Sequence, residues 1–311
     1  MTRTSAPTIA AALLAGCLLA AASAHAGVRA VDDRGDAVAL SSPATRIVTL
    51  APNAAELVAA AGAADRIVGV VKGTDQPASL RDRVVVGDVN GLDLERLVAL
   101  APDLVVTWPW TTPAQVDLLR HRGVAVFVVD PRTIDGIPSD IERLGIVTGT
   151  QASARLAAGR FREQMRDATK DVAAPRLRVF YEISDVPLFT LGGRHLVSQA
   201  IERCGGDNVF ARLPLPAPQV NLESVLASDP QVIVAGTDDA RRPAWLDAWS
   251  RWRALAAVRL HNLYTVDANL LHRPGPRFAQ GVAELCRVLA NARERLGSDA
   301  YRRSEARAVE R

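Results

Sequence analysis

Short runs of β-branched and other apolar residues alternate with helix-like stretches along the first half of the chain. Such runs occur at Arg46–Leu50, Ile67–Val71, Leu104–Thr107 and Val124–Val129. Alternation of this kind is typical of βα units, in which parallel strands are joined by helices. The pattern therefore predicts an α/β lobe with a parallel-type central sheet over residues 27–133.

The character of the sequence changes over residues 134–174. Apolar residues recur there at helical spacing, from Ile137 to Met165, and no strand-like run interrupts them. The stretch from Gly145 to Thr150 predicts a break or a bend. Because a flexible linker would be rich in Gly, Ser or Pro, we expect a long rigid connecting helix and no large hinge motion.

The α/β pattern resumes after Pro175. Strand-like runs and helical stretches alternate again, at Leu177–Tyr181, His195–Arg203, Val232–Ala235, Leu263–Val266 and Arg277–Arg295. This predicts a second α/β lobe with a parallel-type sheet over residues 175–297, and a ligand cleft between the two lobes. Residues 298–311 are charged and small, and we expect them to form a frayed tail.

The two lobes share a short internal repeat. Leu92–Val106 and Val220–Val234 match in polarity and spacing, and each predicts an Asp or Asn N-cap, a short helix, a Pro break and a strand. Glu95 and Glu223 occupy the same place in the first helical turn of each copy. Each carboxylate could simply stabilise its helix N-terminus. Alternatively, the pair forms two docking points, one per lobe, for basic sites on a partner.

Residues 1–26 have the features of a secretory signal peptide. A basic start is followed by an Ala- and Leu-rich stretch from about Ile9 to Ala22 and by an A-x-A cleavage site after Ala26. An uncleaved anchor is disfavoured because the apolar run is shorter than the roughly 20 residues of a spanning helix. We expect a mature chain that begins at Gly27, with lipid attachment at Cys17 as the alternative.

Composition excludes some classes of protein. The chain of 311 residues is 49% hydrophobic and 23% charged, and its net charge of +3 arises from scattered Arg with Lys at Lys72 and Lys170 alone. No basic stripe for nucleic acid is visible. Removal of the signal leaves Cys204 and Cys286, an even pair in an exported chain, which predicts a disulfide. Two free buried thiols are the alternative.

Motifs for catalysis are lacking in the sequence. The histidines of the mature chain stand singly, without carboxylates at ligand spacing, so we expect no metal site. No G-x-S-x-G or P-loop pattern is found, and neither cysteine lies in an activated-nucleophile motif. A secreted hydrolase is the competing class, but we expect a protein without enzymatic activity.

Aromatic residues are sparse, so their positions matter. Trp108 and Trp110 follow the strand-like run that ends at Thr107, where α/β sheets bind ligands, and they could stack on a large flat molecule or pack as loop residues. Phe189 is a similar candidate for the rim of the second lobe. Three tryptophans at near-helical spacing predict a buried helix face: Trp245, Trp249 and Trp252. Asn53 and Glu56 are spaced as a helix capping box.

Several segments carry a resemblance to a known family, which extends from Arg46 to about Ala292. They are Ile47–Asn53, Gly91–Val105, Cys204–Phe210, Pro218–Glu223 and Arg273–Arg277. Through them the chain resembles the periplasmic binding proteins of ABC importers for cobalamin, ferric siderophores and haem, and within that family the cobalamin-binding members. The resemblance implies two lobes joined by a long helix, a periplasmic location, a monomer, and a permease of the inner membrane as partner.

The resemblance also implies roles for individual residues. Glu95 and Glu223 would dock on the permease, and Cys204 would pair with Cys286. Residues that would contact a corrinoid, held as transported ligand and not as cofactor, are Pro52, Asn53, Trp108, Phe189, Asn269, His272 and Arg273. Asn269 replaces an aspartate of the family.

Other family aromatics are missing from this sequence, at Val89, Ala217, Leu270 and Leu271. The alternative within the family is therefore a haem or ferric-siderophore carrier. For haem iron, Tyr181 or His272 would serve as the axial ligand.

Overall fold

The computed structural model describes residues 27–88, 91–109, 111–238 and 242–309. The signal peptide expected over residues 1–26, with Cys17, lies outside the described residues, and so do Val89 and Trp110. The elements of the N-terminal lobe are β1 Val28–Val31, β2 Ala37–Leu40, β3 Ile47–Thr49, α1 Pro52–Val58, β4 Ile67–Val70, β5 Val84–Val85, β6 Gly87–Asp88, β7 Gly91–Leu92, α2 Leu94–Ala99, β8 Leu104–Thr107, α3 Pro113–His121 and β9 Ala125–Val128.

The central sheet of this lobe has the order β5-β4-β3-β8-β9, and all its strands are parallel. Its strands alternate their side chains between two helical layers, because successive side chains on a strand point to opposite faces. Val48 and Val105 pack outward with residues of α2 and α3, whereas Ile47 and Leu104 pack inward. A parallel sheet covered on both faces results, as the apolar runs predict.

Two helices join the lobes, α4 Gly136–Thr148 and α5 Gln151–Thr169. The chain turns between them at Gly149, whose φ of 67° lies in the left-handed region that favours glycine. The helices pack closely, since a Cβ on Gly145 would lie 2.3 Å from that of Ala154. The break predicted between Gly145 and Thr150 is confirmed.

The C-terminal lobe repeats this architecture. Its elements are β10 Leu177–Asp185, β11 Leu188–Thr190, α6 Leu196–Arg203, β12 Gly206–Asn208, α7 Leu222–Ser228, β13 Val232–Thr237, α8 Ala244–Asp247, α9 Ala256–Arg259, β14 Leu263–Asp267, α10 Ala268–Leu271 and α11 Phe278–Val309. The sheet order is β11-β10-β13-β14, with β12 also paired to β10. β11 is antiparallel and the other pairings are parallel. The predicted α/β fold with parallel-type sheets in two lobes is confirmed.

One hydrophobic cluster, here called the inner cluster, crosses from lobe to lobe. It joins the inward faces of both sheets through the connecting helices and α11, and its members include Ile47, Leu104, Leu144, Phe161, Tyr181, Phe278 and Val282. Separate outer clusters cover the outward face of each sheet. Because tightly packed interiors resist deformation, the shared inner cluster makes the joint between the lobes stiff.

α11 closes the C-terminal lobe and is longer than the sequence indicates. Cys286 on α11 forms a disulfide with Cys204, which follows α6, so the predicted pairing is confirmed. The helix continues to Val309, past the end expected near Arg295 and through most of the tail expected to fray. Residues 298–309 contain no Gly or Pro and are rich in Ala and Arg, which favour helix.

Candidate ligand-binding cleft

The carboxyl ends of the parallel strands in the two lobes face each other across a cleft. The loop after β4 carries Asp75 and the loop after α10 carries Arg273, and Nη1 of Arg273 donates to Oδ1 of Asp75 at 2.6 Å. Ligands of α/β sheets bind at these strand ends because loops and helix N-termini converge there. The cleft is therefore the candidate site.

A second ion pair joins the lobes on the floor of the cleft. Arg277 donates from Nε and Nη2 to the two carboxylate oxygens of Glu56, at 2.9 and 2.7 Å. The Glu56 side chain is only 3% exposed, so this is a buried bidentate pair. The hydrogen bond to Glu56 raises the pKa of Arg277, although partial burial acts in the opposite direction.

The capping box predicted for Asn53 and Glu56 is wrong. α1 begins at Pro52, and its N-cap is Ala51, which has no side-chain hydrogen bond to offer. Glu56 bonds to Arg277, 221 residues further along the chain, instead of to its own helix N-terminus. A tertiary ion pair has displaced the local interaction that the spacing suggests.

Asp75 lies at the outer part of the same charged group. Its side chain is 51% exposed and that of Arg273 is 24% exposed. Partial burial acts to raise the pKa of Asp75, but the hydrogen bond and the charge of Arg273 outweigh it and hold this pKa below its usual value. Oε1 of Glu56 is 3.9 Å from Nη1 of Arg273, so the two pairs form one four-charge group with Arg277.

The expected aromatic contacts lie in different lobes. Trp108 follows β8, is half-buried, and packs against the inner cluster. Phe189 is half-buried on β11 and forms an isolated antiparallel bridge with Gln219. At the start of α1, Pro52 is half-buried and Asn53 is buried. These residues follow strands β3, β8 and β10, so each lies toward the edge of its sheet that borders the cleft.

The segment from Asn269 to Arg273 includes most of α10 and is held by hydrogen bonds within the C-terminal lobe. The Asn269 side-chain amide donates to the carbonyl oxygen of Asp238 at 2.8 Å, and its backbone N–H donates to Oδ1 of Asp267. Beside Asp238, which also lines it, lies a cavity of about 540 Å³ with Trp245 in its wall. The sequence predicted neither this cavity nor a place for Trp245 in its wall.

The His272 ring lies beside the buried Tyr181 and the half-buried His195, with ring centroids 5.7 and 6.3 Å away. The Tyr181 hydroxyl lies 3.0 Å from Nε2 of His272, and no part of the Tyr181 side chain reaches solvent. Nδ1 of His195 accepts the backbone N–H of Val197 at 3.1 Å. Burial lowers the pKa of His195 to about 4, with nearby His272 adding to the effect, and burial likewise lowers the pKa of His272. Both imidazoles are therefore neutral at neutral pH.

Of the tryptophans predicted to form a buried face, Trp249 fits best. Its ring packs edge-on against Phe180 in the outer cluster, and its Nε1 donates to Oε2 of Glu182 at 2.8 Å. Trp245 and Trp252 are partly buried against the same cluster. The stripe is mainly structural, as its spacing indicates.

Glu95 and Glu223 lie in equivalent positions on the two lobes. The Asp93 side chain caps α2 by accepting the N–H of Arg96 at 2.9 Å, and Asn221 caps α7 by accepting that of Ser224 at the same distance. Both predicted N-caps are confirmed. Each glutamate is exposed in the first turn of its helix and has no ion-pair or hydrogen-bond partner within the described part of the chain.

The sequence matches the family model described as Periplasmic binding protein over residues 47–270. The chain belongs to this family. Relatives include the vitamin B12-binding protein of Vibrio parahaemolyticus, which is 32% identical over 253 residues, 79% of this chain and 90% of that protein. The family resemblance proposed from the sequence is confirmed.

Solved structures of periplasmic binding proteins show the same two-lobed fold. The periplasmic vitamin B12 binding protein of Vibrio cholerae is 33% identical and superimposes with a TM-score of 0.73, over 81% of this chain and 98% of that one. A periplasmic heme binding protein from Pseudomonas aeruginosa is 23% identical, with a TM-score of 0.68 over 78% of this chain and 91% of that one. The second likeness is one of fold alone.

Two kinds of feature, membrane-spanning helices and metal-ligand clusters, are absent from the described ranges. None of the helices there is both long and apolar enough to cross a membrane. No group of three or more His, Cys, Asp or Glu side chains with the geometry of a metal site occurs among residues 27–88, 91–109, 111–238 and 242–309.

Proposed function

We propose that this protein captures cobalamin or a related corrinoid in the periplasm and delivers it to an ABC importer, without chemical turnover of the ligand. The observation that carries the proposal is the match, at about 30% identity over most of both chains, to proteins named for vitamin B12 binding. Cobalamin is then cargo of the protein and not a cofactor.

The chemistry of the cleft suits a large flat ligand with a polar rim. Trp108 and Phe189 offer one aromatic surface from each lobe, and aromatic rings stack on extended π systems. Asn53 and Asn269 supply amides, and Arg273 supplies a cation, for the polar groups at the rim of a corrin. Pro52 and the neutral His272 complete the contacts that we assign to the ligand.

Delivery would use the exposed carboxylates Glu95 and Glu223. Each is unpaired among the described residues and lies at a helix N-terminus on its own lobe. Two such charges can engage two basic sites on a permease at once, which fixes the orientation of the complex and speeds encounter. The proposal assigns one docking point to each lobe and a monomer as the working unit.

Export follows from the signal peptide that we assign to residues 1–26. We assign residues 27–133 and 175–297 to the lobes and 134–174 to the connector. The disulfide between Cys204 and Cys286 suits an oxidising compartment such as the periplasm.

A haem carrier is less well supported by the cleft. The two side chains considered as axial ligands form a hydrogen bond with each other, since the Tyr181 hydroxyl lies 3.0 Å from Nε2 of His272. Tyr181 is fully buried, so its oxygen cannot reach iron in the cleft without rearrangement of the inner cluster. Haem ligation needs such a group free to approach the metal.

The proposal is tested by uptake of labelled cyanocobalamin into proteoliposomes that contain the cognate importer. Addition of the purified protein to the outside should be required for ATP-dependent accumulation. Accumulation that does not depend on the protein, or that occurs with haemin and not with cyanocobalamin, would contradict the proposal.

A further inference from the structure

One exchangeable ion pair spans the mouth of the cleft. Nη1 of Arg273 lies 2.6 Å from Oδ1 of Asp75 and 3.9 Å from Oε1 of Glu56. Glu56 already has a bidentate partner in Arg277. Asp75 is therefore the carboxylate that satisfies Arg273.

The two inter-lobe pairs differ in how readily they separate. Removal of Arg277 from Glu56 would leave a buried charge unpaired, because the Glu56 side chain is 3% exposed. Asp75 is 51% exposed and can be hydrated as soon as its partner leaves. Exposed ion pairs shift an equilibrium by up to about fivefold (about 1 kcal/mol). The pair of Asp75 with Arg273 is thus the weak one.

We propose that Asp75 stands in for an anionic group of the ligand, and that the phosphodiester of a complete corrinoid displaces it from Arg273. This inference rests on the proposed function and names the part of the ligand that the cleft distinguishes. Complete corrinoids carry a phosphodiester next to the nucleotide base, whereas cobinamide ends before it. The planar guanidinium of Arg273 matches two phosphate oxygens with two parallel N–H donors.

The exposure of Asp75 favours the exchange. Glu56, Asp75, Arg273 and Arg277 together are neutral, so an added phosphodiester gives the group one excess negative charge, and that charge falls on the half-exposed Asp75, which water can hydrate. An uncharged ligand group forms weaker hydrogen bonds with Arg273 than a carboxylate does, so it does not displace Asp75. Asp75 therefore lowers the affinity for every ligand that uses Arg273, and it makes the phosphodiester the group best able to overcome that cost.

Exchange at this point also changes how the lobes are joined. Asp75 belongs to the N-terminal lobe and Arg273 to the C-terminal lobe, so the arrival of the phosphodiester opens one inter-lobe bridge. The buried bridge of Glu56 with Arg277 stays closed, and the inner cluster keeps the lobes in register. Binding therefore breaks the bridge at the mouth of the cleft without a hinge motion.

A double-mutant cycle tests the inference by calorimetric titration with cyanocobalamin and dicyanocobinamide. Asp75→Asn should lower the Kd for cyanocobalamin by about three- to fivefold and leave that for cobinamide within about twofold. Arg273→Gln should raise the Kd for cyanocobalamin more than the Kd for dicyanocobinamide. In the Arg273→Gln background, Asp75→Asn should have no further effect, since the pair that it removes is already absent.

Asp82→Asn is the matched control, because it removes an exposed carboxylate from the same lobe and has no ion pair within the described residues. It should leave both affinities unchanged. An unchanged ratio of the two affinities in Asp75→Asn, or an equal gain in the Arg273→Gln background, would overturn the inference. If the unmodified protein binds neither corrinoid, the proposed function itself fails, and the two failures are distinguishable.

Discussion

Glu182, on β10, carries a carboxyl group buried beside Trp249. Burial raises the pKa of Glu182 to about 8, although the hydrogen bond from Trp249 acts to lower it. In the unfolded chain the group ionises near its usual pKa of about 4.3. Between these values the folded protein binds more protons than the unfolded chain, so this group makes stability fall as pH rises from about 4.3 to 8.

Glu182→Gln keeps an acceptor for Trp249 and removes the ionisation. Because each pKa unit corresponds to about 1.4 kcal/mol, we expect the variant to exceed the parent in free energy of unfolding at pH 8 by about 4 kcal/mol, and to show little difference at pH 4.5. Urea unfolding at both pH values measures this. The exposed Glu163→Gln is the control and should show no such pH dependence. The same stability difference at both pH values would mean that Glu182 is ionised in the folded protein.

Trp108 is one of the two aromatic residues proposed to stack on the ligand. If it stacks on the ligand, Trp108→Ala should weaken cyanocobalamin binding by about 1–3 kcal/mol, the range measured for other stacking aromatics. Trp108→Phe retains a ring and should recover most of the loss. The urea midpoint of each variant separates stacking from packing, because Trp108 also touches the inner cluster. An unchanged Kd in Trp108→Ala would assign the side chain to packing alone.

At the scale of elements, strong periodicity made most of the fold predictable. The run Leu104–Thr107 coincides with β8, and the breaks around the connecting helices fall where Gly145 to Thr150 indicated. Short antiparallel strands were missed: β1, β2, β6, β7 and β11. The missed strands lack the run of β-branched residues that marks β8, and their pairing depends on tertiary context.

The site was predicted less completely than the fold, for a related reason. Glu95 and Glu223 were singled out as docking candidates because a repeated segment marks them twice. Asp75 has no motif around it, and its partner Arg273 is 198 residues away, so their pairing is visible only in three dimensions. The ion pair of Glu56 with Arg277 is likewise visible only in three dimensions, because the spacing of Asn53 and Glu56 indicates a local capping box instead.

The disulfide ties the end of α6 to α11 and closes a loop of 82 residues. Its removal restores chain entropy to the unfolded state, so Cys204→Ala with Cys286→Ala should lower the free energy of unfolding by about 2–5 kcal/mol. Denaturant unfolding of the oxidised parent and the double variant measures this loss. Corrinoid affinity should be unchanged, because the bridge lies between helices of one lobe and away from the carboxyl ends of the strands, which border the cleft. Equal midpoints would contradict a stabilising role.

At the scale of the whole molecule, the shared inner cluster fixes the relative positions of the two carboxylates proposed for docking. Changing Glu95 and Glu223 together to Lys should abolish importer-dependent uptake and leave the Kd for the ligand unchanged, since the change reverses both docking charges outside the cleft. The control replaces Glu163 and Glu202, which are exposed on other faces, with Lys and should transport normally. Unimpaired uptake by the Glu95 and Glu223 variant would exclude the docking role.

Corrinoid binding in the cleft is tested most directly by calorimetric titration of the mature protein, from Gly27, with cyanocobalamin, cobinamide, haemin and a ferric hydroxamate. We expect saturable one-to-one binding of corrinoids, with cyanocobalamin tighter than cobinamide, and no saturable binding of the two iron ligands. Saturable binding of haemin or the ferric hydroxamate without corrinoid binding would keep the family and the fold but contradict the assignment of the ligand.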